Sequence, residues 1–220
     1  MSLYVIATPI GHAKDISLRA IETLQSAEVV IGEEFKEVSK LLKGLEIKGK
    51  ALEVLNEHST PADVQSLLEI CREKKVALVS DCGTPGFCDP GAALVQLCRK
   101  QSVEIHSLPG ASSLMGLLSL SGERINQFIF RGFLPAENQA RAAEIQKLKA
   151  EKRAIVLMDT PYRLKKLLSE LSEAMPTRRA LLTCDLTQES EVVVEAAVKD
   201  LSAKLIKDKA EFMLLLFEVK

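Results

Sequence analysis

Apolar positions along the chain alternate between two spacings. Short runs at 3–8, 29–31, 51–55 and 76–79 read as strands. Between them, apolar residues recur at helical spacing. Asp15 opens a helix carrying Ile16, Ala20, Ile21 and Leu24, and Val38, Leu41 and Leu42 mark a second helix closed by Gly44. Thr60 and Pro61 look like the cap and first position of a third helix, continued by Leu67, Leu68 and Cys71. A fourth helix runs from Ala92 to Arg99, with Asp89 suited to cap it and Pro90 to its first turn. Residues 103–108 alternate as a strand. The order βαβαβαβαβ predicts a mostly parallel sheet with helices on both faces.

The second half is more mixed. Small residues fill a helix at 111–120, and a strand is expected at 127–131. A polar loop at 135–139 leads to a charged helix at 140–152 whose charges face solvent. A strand at 154–158 and a helix at 162–171 follow. Strands at 179–184 and 191–196 are joined by Asp185-Leu186-Thr187-Gln188, and a helix at 198–205 precedes a last strand at 211–217. Neighbouring strands with a short connection imply antiparallel pairs. Leu108-Pro109-Gly110-Ala111 is the best boundary, giving an N-terminal α/β domain at 1–109 and a C-terminal mixed α/β domain at 110–220.

The stretch Ser80-Asp81-Cys82-Gly83-Thr84-Pro85-Gly86-Phe87-Cys88-Asp89-Pro90-Gly91 follows the apolar run at 76–79. Open α/β sheets bind ligands in loops at the carboxyl ends of their strands. Glycine permits close backbone approach and proline stiffens the loop. Composition alone fits either a ligand cradle or a tight βα connection. Ser112 and Ser113 fit either close helix packing or donors at a helix amino terminus. His106 reads as structural, whereas His12 and His58 lie beside strand ends. In Glu33-Glu34, one carboxylate is expected to begin a helix, where negative charge is favoured.

Composition narrows the field. The chain has 220 residues, 47% of them hydrophobic, and a formal net charge of −1. The balance does not announce a nucleic-acid binder, although a local basic face is compatible with it. The apolar run at 212–217 is too short to span a bilayer, and the start shows no secretory signal, so a cytoplasmic protein with no membrane association is expected. The five cysteines form no CxxC pair, which points to reduced thiols and no metal site. Dinucleotide, P-loop and nucleophile-elbow signatures are absent from the sequence.

Several motifs resemble one family in order along the chain. They are Thr8-Pro9-Ile10-Gly11 with Asp15-Ile16-Ser17-Leu18-Arg19-Ala20, Ser80-Asp81-Cys82-Gly83-Thr84-Pro85 with Asp89-Pro90-Gly91, Leu108-Pro109-Gly110-Ala111-Ser112, Arg131-Gly132-Phe133-Leu134-Pro135, and Thr160-Pro161-Tyr162-Arg163. The set resembles the small-subunit ribosomal RNA ribose 2′-O-methyltransferases of the tetrapyrrole methylase superfamily. The resemblance implies two α/β domains with a ligand cleft between them, a homodimer, and S-adenosylmethionine as methyl donor. It implies cofactor contacts from Pro9, Asp81, Gly83, Thr84, Pro85, Phe87, Ser112 and Ser113, and from Met158, Leu186 and Thr187 in the second domain. Glu33 and His58 are the candidates for a general base. Two basic positions of the family pattern are replaced, in Glu34-Phe35-Lys36 and in Cys184-Asp185-Leu186-Thr187-Gln188. The acceptor implied is ribosomal RNA or the small ribosomal subunit. A tetrapyrrole or other small anionic acceptor, and a non-catalytic paralogue that only binds the cofactor, are the alternatives.

Overall fold

A computed structural model describes residues 1–205 and 207–219. The chain divides into two units, 1–112 and 113–220, a few residues beyond the boundary expected from sequence.

Unit 1 contains β1 (Ser2–Ile6), α1 (Leu18–Ser26), β2 (Val29–Gly32), α2 (Phe35–Gly44), β3 (Ala51–Val54), α3 (Pro61–Glu73), β4 (Lys75–Val79), α4 (Ala92–Lys100) and β5 (Glu104–Leu108). The five strands form one sheet in the order β3-β2-β4-β1-β5, and every pair is parallel. Alternate side chains serve opposite faces. Leu3, Val29, Ile31, Val76 and Leu78 pack against Leu67, Leu68 and Cys71 of α3 and Leu94 and Cys98 of α4. Ile6, Val30, Ala77 and Val79 pack against Ala20 and Leu24 of α1 and Val38 and Leu42 of α2. Helices on both faces explain why these strands read as nearly continuous apolar runs.

Unit 2 contains α5 (Ser113–Ser119), β6 (Phe128–Gly132), α6 (Asn138–Ala150), β7 (Ala154–Asp159), α7 (Leu164–Ala174), β8 (Arg179–Cys184), β9 (Val192–Ala197), α8 (Val198–Lys204) and β10 (Phe212–Leu216). Its sheet runs β6-β7-β10-β8-β9 and is mixed: β6 is parallel to β7, while β10 lies antiparallel between β7 and β8. Helices α6, α7 and α8 cover one face, with Ile145, Leu168 and Leu201 at its core. The other face meets Leu114, Leu117 and Leu118 of the short α5.

Three expectations are corrected. Asp15 does not open α1: it ends a 3-10 turn (Ala13–Asp15), and the cap is Ser17, whose Oγ accepts from the Ala20 amide at 3.1 Å. Asp89 does not cap α4. The cap position is Gly91, at φ 132°, a conformation that L residues rarely adopt. The charges of α6 are not all solvated, because Arg141 is 1% exposed. Its Nη1 donates to Asp159 Oδ2 at 2.9 Å and its Nε to Glu170 Oε2 at 2.6 Å, so two carboxylates compensate its burial. By contrast, Thr60 and Pro61 start α3 as expected, in a full capping box with Asp63. His106 stacks on Tyr4 with ring centroids 4.6 Å apart. No helix among the described residues is long and apolar enough to cross a membrane.

Candidate functional site

In an all-parallel sheet every strand delivers its following loop to the same edge. Here the loops after β1, β2, β3 and β4 converge there, and the order β3-β2-β4-β1-β5 places the topological reversal beside the central β4 and β1.

Two locks hold the central loop at this edge. The Gly83 carbonyl accepts from the Thr8 amide at 2.8 Å, from Thr8 Oγ1 at 3.3 Å and from Ser80 Oγ at 3.1 Å. Thr8 Oγ1 also lies 3.0 Å from the Ser80 carbonyl. Further along, Thr84 Oγ1 donates to the Ala111 carbonyl at 3.3 Å, joining the loop to the segment after β5. Gly83 and Gly86 sit at φ 86° and 85°, where a side chain would be strained. Gly110 comes so near β1's end that a Cβ there would lie 2.8 Å from Ala7 Cβ.

Two adjoining pockets open at the edge. One, of about 440 Å³, is lined by Pro9, Ile10, Ser80, Asp81, Lys40 and Leu41 among others. The second, of about 490 Å³, gathers Glu33, Glu34, Asn56, His58, Asp81 and Cys88. Asp81 belongs to both. Its backbone amide donates to Glu33 Oε1 at 3.3 Å, which orients that carboxylate.

The electrostatics are acidic. Burial pushes the Asp81 carboxyl up to about 6, reinforced by the Glu33, Glu34 and Glu37 charges. Burial likewise raises Glu33, and the Asp89 and Glu34 charges add to the effect, while the hydrogen bond from Asp81 opposes it. Asp89 is raised by burial and then by Asp81. A cluster of this kind favours a cationic ligand, which would relieve the mutual repulsion.

The structure therefore brings Glu33, His58 and Asp81 together, with Pro9 at the neighbouring pocket. His58 is held loosely: its side chain is 85% exposed, with Nε2 3.6 Å from Glu57 Oε1. Gly83 and Pro85 are buried in the loop, whereas Thr84 and Phe87 are exposed. Ser112 follows Ala111 at the end of unit 1. The remaining candidates lie in unit 2. Ser113 begins α5, Met158 packs beside Leu114 and Leu117, and Leu186 Cδ1 would lie 3.6 Å from a Cβ at Gly116. The Thr187 amide donates to Glu191 Oε2 at 2.6 Å in a loop also braced by Asp185.

Sequence reasoning missed Asp89, Asn56 and the Thr8–Ser80 lock. Asp89 looked like a cap because it precedes a proline and a helix. Thr8 carried a signal, a hydroxyl at the end of an apolar run, but the carbonyls it bonds lie more than seventy positions away. Among the described residues, no group of three or more His, Cys, Asp or Glu is placed to hold a metal ion.

A parallel sheet with a rigid glycine- and aspartate-rich loop at its carboxyl edge defines the class: an α/β protein of the open-sheet type, in which that edge is the place for a ligand. Comparison with known proteins gives the family. The model of the Tetrapyrrole (Corrin/Porphyrin) Methylases matches residues 2–202, and the chain belongs to that family, as a methyltransferase. A protein named "Ribosomal RNA small subunit methyltransferase I" from Leptospira biflexa is 36% identical over 97% of this chain and 90% of its own length. Proteins of the same name from Coprothermobacter proteolyticus and Neisseria meningitidis serogroup B are 37% and 33% identical, each over 98% of this chain and over 97% and 76% of their own lengths. Two solved structures share the fold. Diphthine synthase has a TM-score of 0.73 at 18% identity, covering 98% of this chain and 90% of its own. The methyltransferase CobJ has a TM-score of 0.69 at 15% identity, covering 99% and 94%.

Proposed function

We propose that the chain transfers a methyl group from S-adenosylmethionine to a ribose 2′-hydroxyl of small-subunit ribosomal RNA. The observation that carries this reading is the full-length similarity to proteins named for that subunit. The donor, when bound, supplies a methyl group on a sulfonium cation, ready for in-line displacement.

The residues present fit such a donor. The ends of β1 and β4 hold the Gly83 turn rigid against Ile10, which lines the adjoining pocket. Asp81, with Glu33 and Asp89 behind it, supplies negative charge toward a cation. Apolar Pro9, Ile10, Val79 and Leu41 line the adjoining pocket, which suits an aromatic ring. Thr84, Pro85 and Phe87 extend the loop's contact, and Ser112 and Ser113 offer hydroxyls and amides. The family resemblance also implies donor contacts from Met158, Leu186 and Thr187.

Glu33 acts as the general base. The Asp81 amide fixes one of its oxygens, and burial raises its basicity. It takes the proton of the attacking hydroxyl as the oxygen–methyl bond forms and the sulfur–methyl bond breaks. Orientation of the hydroxyl in line with the departing sulfur supplies most of the acceleration. His58 sits at the mouth of the same pocket and serves as the alternative proton acceptor. Glu33 and Glu34 line this pocket, which disfavours an acceptor whose own carboxylates would have to enter it. We further propose a homodimer, as the family resemblance implies, acting in the cytoplasm on its ribosomal acceptor.

The test is transfer of labelled methyl from S-adenosylmethionine to small ribosomal subunits from cells lacking their own ribose methylase. Label on a ribose is the expected result. An unlabelled subunit, with donor binding demonstrated in the same preparation, overturns the RNA reading.

A further inference from the structure

The whole chain carries a formal charge of −1, yet residues 35–50 hold five lysines and two glutamates. Lys36, Lys40 and Lys43 are exposed on α2. Their spacing of four and then three residues puts them on one helix face, within about 10 Å along the axis. Lys40 faces Glu37 at 3.6 Å, while Lys36 and Lys43 have no carboxylate partner among the described residues. Lys50 is committed elsewhere, donating to the Gln25 and Ala27 carbonyls at 2.6 and 2.7 Å. Phe35, the first residue of the helix, is 56% exposed.

Position ties this face to the site. Phe35 directly follows Glu33 and Glu34, which line the acidic pocket. Lys40 lines the pocket that also holds Pro9 and Asp81. Lys43 and Lys48 line a third pocket of about 730 Å³ at the far end of α2. A lysine path thus runs along the helix and ends, through one exposed aromatic ring, at the carboxylates. Glu37 and Glu46 are the acidic groups on the same segment, and Glu34 immediately precedes it.

We propose that this face of α2 is the track for a single-stranded RNA acceptor. This rests on the RNA reading above and adds where the strand lies. Lys36, Lys40 and Lys43 contact successive phosphates. Phe35 stacks the base beside the reacting ribose, whose hydroxyl then faces Glu33. Phosphate neutralisation supplies the affinity, and stacking on an aromatic ring accepts any base. A duplex would keep its bases stacked on one another and leave Phe35 without a partner.

The full chain is tested as wild type, as the triple variant Lys36→Gln, Lys40→Gln, Lys43→Gln, and as Phe35→Ala and Phe35→Leu. The readouts are methyl transfer to the small subunits described above and binding of a short single-stranded RNA at several salt concentrations. The triple variant is expected to raise KM for the subunits about tenfold, and the double variant Lys36→Gln, Lys43→Gln, which keeps Lys40 in the donor pocket, is expected to leave KM for S-adenosylmethionine unchanged. Its slope of log affinity against log salt should fall by about 2, close to 0.7 for each lost phosphate contact. Phe35→Ala should weaken single-strand binding about tenfold, and Phe35→Leu should not restore it. A triple variant with wild-type KM and salt slope, while the wild type methylates the subunits, overturns the track and leaves the RNA reading standing. A wild type that binds the donor but labels no subunit overturns both. Tighter binding of duplex than of single strand overturns the role of Phe35.

Discussion

The two units build five-stranded sheets from the same kinds of residues and use them differently. In unit 1 all strands run one way, so the loops after them meet at one edge, and that edge holds Glu33, Asp81, Asp89 and the locked Gly83 turn. In unit 2 the strands run both ways, so the connections divide between two edges. Its notable polar feature is buried: Arg141 between Asp159 and Glu170, with Arg163 3.4 Å from Asp159. Arg178 adds a second buried cation, donating to the carbonyls of Leu148, Glu151, Arg153 and Phe217. Unit 1 therefore places its charges where a ligand can meet them, at a cost in repulsion. Unit 2 spends its charges on joining helix to strand. Strand direction, more than composition, separates an edge where loops gather from one where charges brace the fold.

Changes in each unit should consequently be read out differently. The largest expected effect is in unit 2. Arg141→Ala leaves the buried Asp159 with the Thr160 amide at 2.9 Å and, as its cation, only Arg163 at 3.4 Å, and should cost about 3–5 kcal/mol. Hydrogen exchange should show β7 and β10 losing protection; equal loss in β4 would break the comparison. Next is Glu33→Gln, expected to lower kcat by about 10²–10⁴ with donor affinity retained. The wild-type rate should rise with pH as Glu33 ionises, and a wild-type kcat in Glu33→Gln would remove it as the base.

Smaller effects sharpen the contrast. The Asp81 carboxyl is raised from 3.8 to about 6 in the folded protein. Between those values the folded chain holds a proton that the unfolded chain has released, so stability falls as pH rises through the window. Asp81→Asn should flatten that slope and raise stability at pH 7 by about 1 kcal/mol after solvent screening, while weakening donor binding. Urea unfolding at several pH values checks the first part, and an unchanged slope would show that the repulsion is not felt. Thr60→Ala removes the capping box of α3 and should cost about 1 kcal/mol, with no change in turnover at saturating substrate.

Much of this was legible in the sequence because the signals were local. The α3 cap needs only Thr60, Pro61 and Asp63, and the strand runs of unit 1 are apolar because both faces are covered. The central loop was legible from its glycines and prolines. Where the reading failed, the deciding contact was distant or the local signal had two solutions. Asp89 could cap α4, but the positive φ of Gly91 moved the cap two residues on. Arg141 looked like one more solvated charge on a helix of charges, and only the fold brings Asp159 and Glu170 to it. Grouping Glu33 with Asp81 required knowing that β2 and β4 are neighbours, which their order along the chain does not state.

The central claim is that the turn held by Thr8 and Ser80 binds the methyl donor, and its most direct test is calorimetric titration of S-adenosylmethionine into Gly83→Val and Gly83→Ala. At φ 86° either side chain is strained, by about 1–2 kcal/mol, and its Cβ would lie against Ile10 Cγ2 at 3.4 Å, beside the pocket that Ile10 lines. The account predicts folded variants, verified by circular dichroism, with donor binding lost in Gly83→Val and weakened in Gly83→Ala. Wild-type affinity in both folded variants would contradict it and place the donor elsewhere in the molecule.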